Sequence, residues 1–331
     1  MSQESPDIST NSKSKIGKYV AISIVFGIIV ICILFAYGDF AQVVQSFAKF
    51  RWEFVPLILL LTLINYYLRF VKWDYYLRYL DIKIPKKVSL SIFLSGLTMS
   101  VTPGKLGEVF KSYLLFDYNK TAVSRSIPVV LAERVTDVMG LLILSAIAFP
   151  VFKYGTVVLI IILVVLILLI LIIKIRSFCY KIIRLCEFIP FAKKYSKSLY
   201  TLYETSYTLF KMKPLILSTV LSVISWGFEC VAMDFVLLGF KQNTSALLGI
   251  FVFSFSSLAG AVSMIPGGLI VAESGSIALL VMANISRSIA VSATIIIRFC
   301  TLWFGVAIGV ITLLFSRNKP NIDTNNTVNK I

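Results

Sequence analysis

Residues Val157–Ile173 are valine, leucine and isoleucine without a break. Folded as a helix, that run has no polar face, so it belongs against lipid. Mostly apolar runs also cover Tyr19–Tyr37, Phe54–Leu68, Ile127–Phe152, Pro214–Leu238 and Ile289–Phe315. A spanning helix needs ~20 mostly apolar residues. Tyr19–Tyr37 follows a polar, Ser-rich tail and no small-residue cleavage site follows it, so it reads as a retained anchor rather than a signal peptide. With 58% hydrophobic and 15% charged residues, and a mean hydropathy of +0.90, the chain is neither a soluble enzyme nor a disordered or fibrous protein.

Two further apolar stretches are broken in the middle. Val88–Val101 stops at Thr102-Pro103-Gly104, and a short stretch follows to Phe116. Ala246–Ile265 stops at Pro266-Gly267-Gly268, and a short stretch follows to Met282. Lys and Arg total 32 against 16 Asp and Glu, a net charge of +16. In a soluble domain that excess would suggest nucleic acid. Here the basic residues sit between apolar runs, which points to a membrane surface and to no nucleic-acid partner.

The basic residues cluster in the N-terminal tail, after the second run (Arg69, Lys72, Arg78, Lys83, Lys86, Lys87), in Lys174–Lys213 and in the tail after Phe315. The intervening connections are poor in them. Basic connections mark the cytoplasmic side. The alternation closes only if both broken stretches return to the side they came from. The expected architecture is therefore all-α and polytopic, with six full spans, two re-entrant Pro-Gly hairpins and both termini cytoplasmic; eight or more ordinary spans is the alternative. It divides into a cytoplasmic tail (1–18), a first membrane half (19–173), a basic connector (174–213), a second membrane half (214–315) and a cytoplasmic tail (316–331). Basic residues interleaved with Phe and Tyr in the connector suit helices lying on an anionic inner leaflet; a solvated connector is the alternative.

The two broken stretches resemble each other. Ser100-Val-Thr-Pro-Gly-Lys-Leu-Gly-Glu108 matches Ser263-Met-Ile-Pro-Gly-Gly-Leu269, followed by Glu273. Each leads to a matching helix start, Arg125-Ser126-Ile127 and Arg287-Ser288-Ile289, and each of those helices carries a deep arginine, Arg134 and Arg298. Three spans lie between the hairpins, so the halves face opposite ways. This is the pattern of an inverted repeat with broken helices.

Three motifs carry a family resemblance: Pro-Gly-Lys-Leu-Gly-Glu (103–108), Glu-Arg-x-x-Asp (133–137) and Pro-Gly-Gly-Leu-x-x-x-Glu (266–273). Together they resemble the flippase-like membrane family that includes the transmembrane region of lysyl-phosphatidylglycerol synthases and stand-alone prokaryotic membrane proteins. The resemblance runs from about Tyr19 to Phe315. It implies movement of lipid between leaflets of a prokaryotic plasma membrane. Synthase members add a soluble aminoacyl-transfer domain after the membrane part. Only Ser316–Ile331 follows the last span here, so that domain is expected to be absent.

A Pro-Gly turn inside a bilayer exposes backbone groups that lipid cannot satisfy. The helix after it turns free N–H groups toward the turn, which favours an anion. The candidate substrate-binding residues are therefore Pro103, Gly104, Lys105, Gly107, Glu108 and Lys111 on the first hairpin, and Pro266, Gly267, Gly268 and Glu273 on the second. Glu133, Arg134, Asp137 and Arg298 join them as charges inside apolar runs, where each costs ~2.5–3.5 kcal/mol or more and faces the protein interior. Equivalent positions suggest the pairs Glu108–Arg134 and Glu273–Arg298, within the halves or across them. Glu229 and Asp234 lie on the sixth span, with Asp234 near the outer interface.

Several chemistries are absent. There is no histidine, and the five cysteines include no C-x-x-C. His-based catalysis, zinc and disulfide frameworks are not implied. No catalytic residue, metal or cofactor is expected, and no nucleotide loop or nucleophile motif occurs. The expected function is translocation of a phosphate-headgroup lipid, either a phospholipid or a polyprenyl-phosphate, by a monomer or a homo-oligomer. The alternatives are a lipid-modifying enzyme or accessory subunit in an aminoacyl- or glycosyl-lipid pathway, and an ion-coupled carrier of a small solute.

Overall fold

The computed structural model describes residues 39–102, 108–148, 156–187 and 195–317, with Ile29, Cys32, Ile33, Ala36 and Tyr37. Most of the anchor expected over Tyr19–Tyr37 and most of both tails lie outside the described residues, as does the end of the run that reaches Phe152. Among the described residues the regular structure is helical, with no strand.

The first half opens with α1 (Phe40–Lys49), whose N-cap Asp39 accepts from the backbone N–H of Ala41. Then come a long helix α2 (Val55–Tyr79), a short α3 (Lys86–Leu97), a short α4 (Phe110–Asn119) and a long α5 (Val123–Ile147). The lipid-facing run is α6 (Thr156–Lys174), and the connector folds as α7 (Arg176–Glu187) and α8 (Ser196–Leu209). The second half repeats the first: long α9 (Met212–Gly239), short α10 (Ala246–Val262), short α11 (Val271–Met282), then α12 (Arg287–Arg298). A π-helical turn over Phe299–Trp303 joins α12 to α13 (Phe304–Arg317).

The repeat extends to the helix ends. α2 closes with Ile82 N–H on the Leu77 carbonyl and Asp81 at φ 54°. α9 closes with Gln242 N–H on the Leu237 carbonyl and Lys241 at φ 56°. Both are left-handed caps that satisfy orphan carbonyls, made with residues other than the usual glycine. The same cap recurs after α11, where Asn284 has φ 63° and Ile285 N–H reaches the Leu280 carbonyl.

Helices α2 and α9 run antiparallel along a shared polar seam. Asn65, Arg69, Lys72 and Tyr76 follow each other on one face of α2, all buried. Ser218, Ser222, Ser225 and Glu229 do the same on α9. Asn65 donates to the Ser225 carbonyl at 2.8 Å and Lys72 to the Ser222 hydroxyl at 2.7 Å. The start of α2 is tied to the end of α9 by Arg51 N–H on the Gly239 carbonyl, 3.1 Å. Small residues set the closest approaches, as in membrane bundles: a Cβ at Gly140 of α5 would lie 2.9 Å from the Ser222 Cβ.

This seam corrects one expectation. The second apolar run was expected to end at Leu68, with Arg69 and Lys72 in a basic connection. Instead α2 continues to Tyr79, and both cations are buried. Helical hydrogen bonding does not stop at a charge; inside the bundle Lys72 pairs with Asp137 and Arg69 faces the Trp226 ring.

By length and apolarity, Trp52–Tyr79, Val157–Lys174, Met212–Gly239 and Arg287–Phe315 can each cross a membrane. α5 is as long as α2 at 25 residues but carries Glu133, Arg134 and Asp137. The short helices α10 and α11 pack against each other as a hairpin, with Gly260 stacked closely on Gly268. At 17 and 12 residues they are ~26 and ~18 Å long, short of a ~30 Å hydrocarbon core. The halves interlock through α3, which packs on α13; a Cβ at Gly309 would lie 2.5 Å from the Thr98 nitrogen.

Candidate functional site

The second tip is the described one. Gly267 and Gly268 have φ 62° and 65°, which glycine adopts without strain. Met264 and Ile270 also have positive φ, 57° and 73°, and at a β-branched residue such as Ile270 that conformation is a genuine outlier. A Cβ on Gly267 would come within 3.3 Å of Val101 Cγ1. The second tip therefore abuts the end of the first broken stretch. Pro103, Gly104, Lys105 and Gly107 lie outside the described residues.

Arg298, at the end of α12, fastens this tip. Its Nε donates to Glu273 Oε1 at 2.6 Å, and its Nη2 donates to the Gly267 carbonyl at 2.8 Å. Glu273 stands in the first turn of α11, where the helix dipole favours a carboxylate. Ile270 precedes α11 and gives no side-chain cap. Beyond Arg298 the helix loosens into the π turn, and the Tyr66 hydroxyl donates to the Thr301 carbonyl there. Such turns concentrate at functional sites.

The first half holds a larger cluster. Arg134 Nη2 lies 3.0 Å from both Glu108 Oε2 and Asp137 Oδ2. Lys111 Nζ lies 2.6 Å from Glu133 Oε2 and 3.6 Å from Glu108 Oε2. Its stem covers Gly96, where a Cβ would be 2.4 Å from Lys111 Cγ, and its ammonium faces the Trp73 ring at 4.7 Å. Lys72 Nζ reaches Asp137 Oδ1 at 2.5 Å. Among the described residues the cluster thus holds three cations against three carboxylates, the balance that buried charges require. Glu133 is wholly buried.

The two arginines are the least buried members of these clusters, although Nε and Nη2 of Arg134 are themselves buried. The Arg134 side chain is 20% exposed and that of Arg298 is 17%, while their acids are at most 4% exposed. Glu108–Arg134 and Glu273–Arg298 both form within a half, not across the halves. Lys72, Ser222, Tyr66 and Arg69 join this interior although sequence reasoning did not place them there. The signal was available in the polar stripe 65, 69, 72, 76. Arg69 is buried with its guanidinium 5.4 Å from the Trp226 ring. Glu229 and Arg69 each lie within electrostatic reach of the Tyr66 hydroxyl. Asp234, five residues before the end of α9, is half-buried against Gly249.

Outside the spans, α7 presents Phe178, Ile182 and Leu185, with Ile175 before it, as one exposed apolar stripe beside Arg176, Lys181 and Arg184. Its other face meets α8. There Tyr180 donates to Glu204 and Arg176 stacks on Tyr207 at 4.1 Å. The hydrogen bond to Glu204 raises the Tyr180 phenol above its usual range, and burial pushes Tyr203 up to about 12. No group of three or more Cys, Asp or Glu suited to a metal ion occurs among the described residues.

The arrangement described above coincides with a family match. The sequence model for the lysylphosphatidylglycerol synthase transmembrane region matches residues 20–309. The chain belongs to that family. It is also similar to a UPF0104 membrane protein of Pyrococcus horikoshii, 25% identical over 330 residues that cover 91% of this chain and 97% of the relative. A UPF0104 membrane protein of Methanocaldococcus jannaschii is 31% identical over 225 residues, covering 64% of this chain and 91% of the relative. One from Methanothermobacter thermautotrophicus is 26% identical over 224 residues, 62% of this chain and 66% of the relative. The protein is a membrane protein of a family tied by name to a lipid-modifying synthase.

Proposed function

We propose that the protein moves a lipid with a phosphate-bearing headgroup between membrane leaflets. The observation that carries this reading is the pair Arg134 and Arg298. Each follows a broken helix, each is held by a buried acid, and each keeps part of its side chain exposed. A guanidinium fork matches phosphate as well as carboxylate. In this reading α3–α4 and α10–α11 are re-entrant hairpins that enter from opposite sides and meet where Gly267 touches Val101. The headgroup sits between them while its tails stay in the bilayer. Rocking of one half against the other opens the site to each leaflet in turn. Pro103, Gly104, Lys105 and Gly107 are assigned to headgroup binding on their sequence motif. Both termini are cytoplasmic, and the stripe of α7 lies in an anionic inner leaflet.

Lipid identification by mass spectrometry after gentle purification tests the reading. Enrichment of a phosphate-headgroup lipid over its share of the host membrane is the expected result. Co-purified lipid with the same composition as the bulk membrane contradicts it.

A further inference from the structure

The two arginines are equivalent in the repeat but not in their bonding, and we infer that they divide the work. Arg134 is the cation that takes the headgroup phosphate, and Arg298 is a positioning residue that holds the second tip. The inference rests on the translocation reading and assigns roles within it.

A buried carboxylate left without its cation is costly, so an arginine can turn to a ligand only where its acids keep another partner. Arg134 meets that condition through shared cations, since each of its acids keeps a lysine in reach while two lysines remain for three carboxylates. Glu108 retains Lys111 at 3.6 Å. Asp137 retains Lys72 at 2.5 Å and the Ser222 hydroxyl at 3.1 Å. Arg134 is also under-bonded where it stands. Its Nε and Nη2 make no hydrogen bond among the described residues, although two carboxylates lie at 3.0 Å. The charges are near, but the N–H directions are unused; both nitrogens are buried, so a phosphate takes them only when Arg134 turns toward its exposed side.

Arg298 fails the same condition. Glu273 has no second cation among the described residues. Both of the Arg298 bonds are directed hydrogen bonds, and one ends on the Gly267 carbonyl of the tip. Withdrawing Arg298 strands an acid and releases the turn.

The experiment measures the full chain in reconstituted vesicles, following transfer of a fluorescent phosphatidylglycerol as its mole fraction is varied. Arg134→Gln and Arg134→Lys are expected to raise the half-saturating lipid fraction about 10- to 100-fold, the loss of one charge-assisted contact or two. Arg298→Gln is expected to lower the maximal rate and the melting temperature, with half-saturation little changed. Glu273→Gln added to Arg298→Gln is expected to recover stability and most of the rate, because it removes the stranded charge. Glu108→Gln added to Arg134→Gln is expected to recover stability, by restoring the charge balance, but to leave half-saturation raised. If Arg298→Gln shifts half-saturation as Arg134→Gln does, or if the Glu108 change restores the half-saturation of Arg134→Gln, the division of work is wrong.

Thermal-shift arms with inorganic phosphate and with short-chain phosphatidylglycerol separate the ligand sources. Arg134-dependent stabilisation by the lipid, without transfer by the parent chain, sinks translocation and leaves the assignment standing. Stabilisation by inorganic phosphate alone assigns the site to a soluble anion and overturns the lipid headgroup. The absence of stabilisation by either probe overturns the assignment.

Discussion

Lys72 Nζ stands 2.5 Å from Asp137 Oδ1, with both side chains shut off from solvent. The contact joins two long helices, and Ser222 completes it from a third, so α2, α5 and α9 meet at one ion pair. Lys72→Met leaves Asp137 without its nearest cation. The expected cost is about 3–5 kcal/mol of stability, read by reversible unfolding in mixed micelles. Lys72→Met with Asp137→Asn is expected to recover most of it. A single variant as stable as the parent contradicts the view that this pair anchors the bundle.

The same pair shows where sequence was informative and where it was not. An isolated cation inside a membrane costs ~2.5–3.5 kcal/mol, so an apolar run reads as ending at Leu68. The compensating acid lies 65 positions along the chain, beyond the view of any local window. The stripe Asn65, Arg69, Lys72, Tyr76 did carry the message, because four polar positions on one helical face need a buried partner face. The pairs Glu108–Arg134 and Glu273–Arg298 were legible because the repeat supplied the register. The differing hydrogen bonds of the two arginines were not legible, since bond direction depends on packing.

Glycine positions separate close packing from open surface. A Cβ at Gly309 meets the Thr98 nitrogen at 2.5 Å and the Leu94 carbonyl oxygen at 2.9 Å, atoms that cannot step aside. Gly309→Ala is expected to lose about 1–3 kcal/mol by pushing α3 off α13. Gly227 in α9 has nothing within 4 Å of such a Cβ, so Gly227→Ala is expected to be neutral or to gain up to ~1 kcal/mol from helix propensity. The same unfolding assay reads both, and a reversed order contradicts the packing described.

Contact of the tips and the side of each loop are open to cysteine chemistry in a cysteine-free background. Val101→Cys with Gly267→Cys is expected to cross-link readily, given 3.3 Å between Val101 Cγ1 and the Gly267 Cβ position. Ser12→Cys and Asn326→Cys are expected to react with a membrane-impermeant reagent only after cells are opened, and Lys241→Cys in intact cells. Labelling of either terminus from outside contradicts the proposed topology.

The connector should loosen in alkali. Burial first, and then the neighbouring Cys179, raise the Tyr203 phenol to about 12. An unfolded tyrosine ionises near ~10, so the folded form holds its proton longer. Stability from this source is complete below about pH 10 and is lost as pH rises through about 12. Tyrosinate absorbance and protease cutting between α7 and α8 are expected to rise together across that window, and cutting that begins below it contradicts the burial of Tyr203.

The central claim is movement of a phosphate-headgroup lipid, and transfer in vesicles tests it most directly. Purified chain is reconstituted with a trace of tail-labelled phosphatidylglycerol, and the label reached by an impermeant quencher is followed with time. Matched vesicles carry tail-labelled diacylglycerol, which lacks the phosphate. The account predicts that protein speeds exchange of the phosphatidylglycerol over empty vesicles, and that Arg134→Gln abolishes the gain while leaving the chain folded. Exchange no faster than in empty vesicles, or a gain that persists in folded Arg134→Gln, contradicts it.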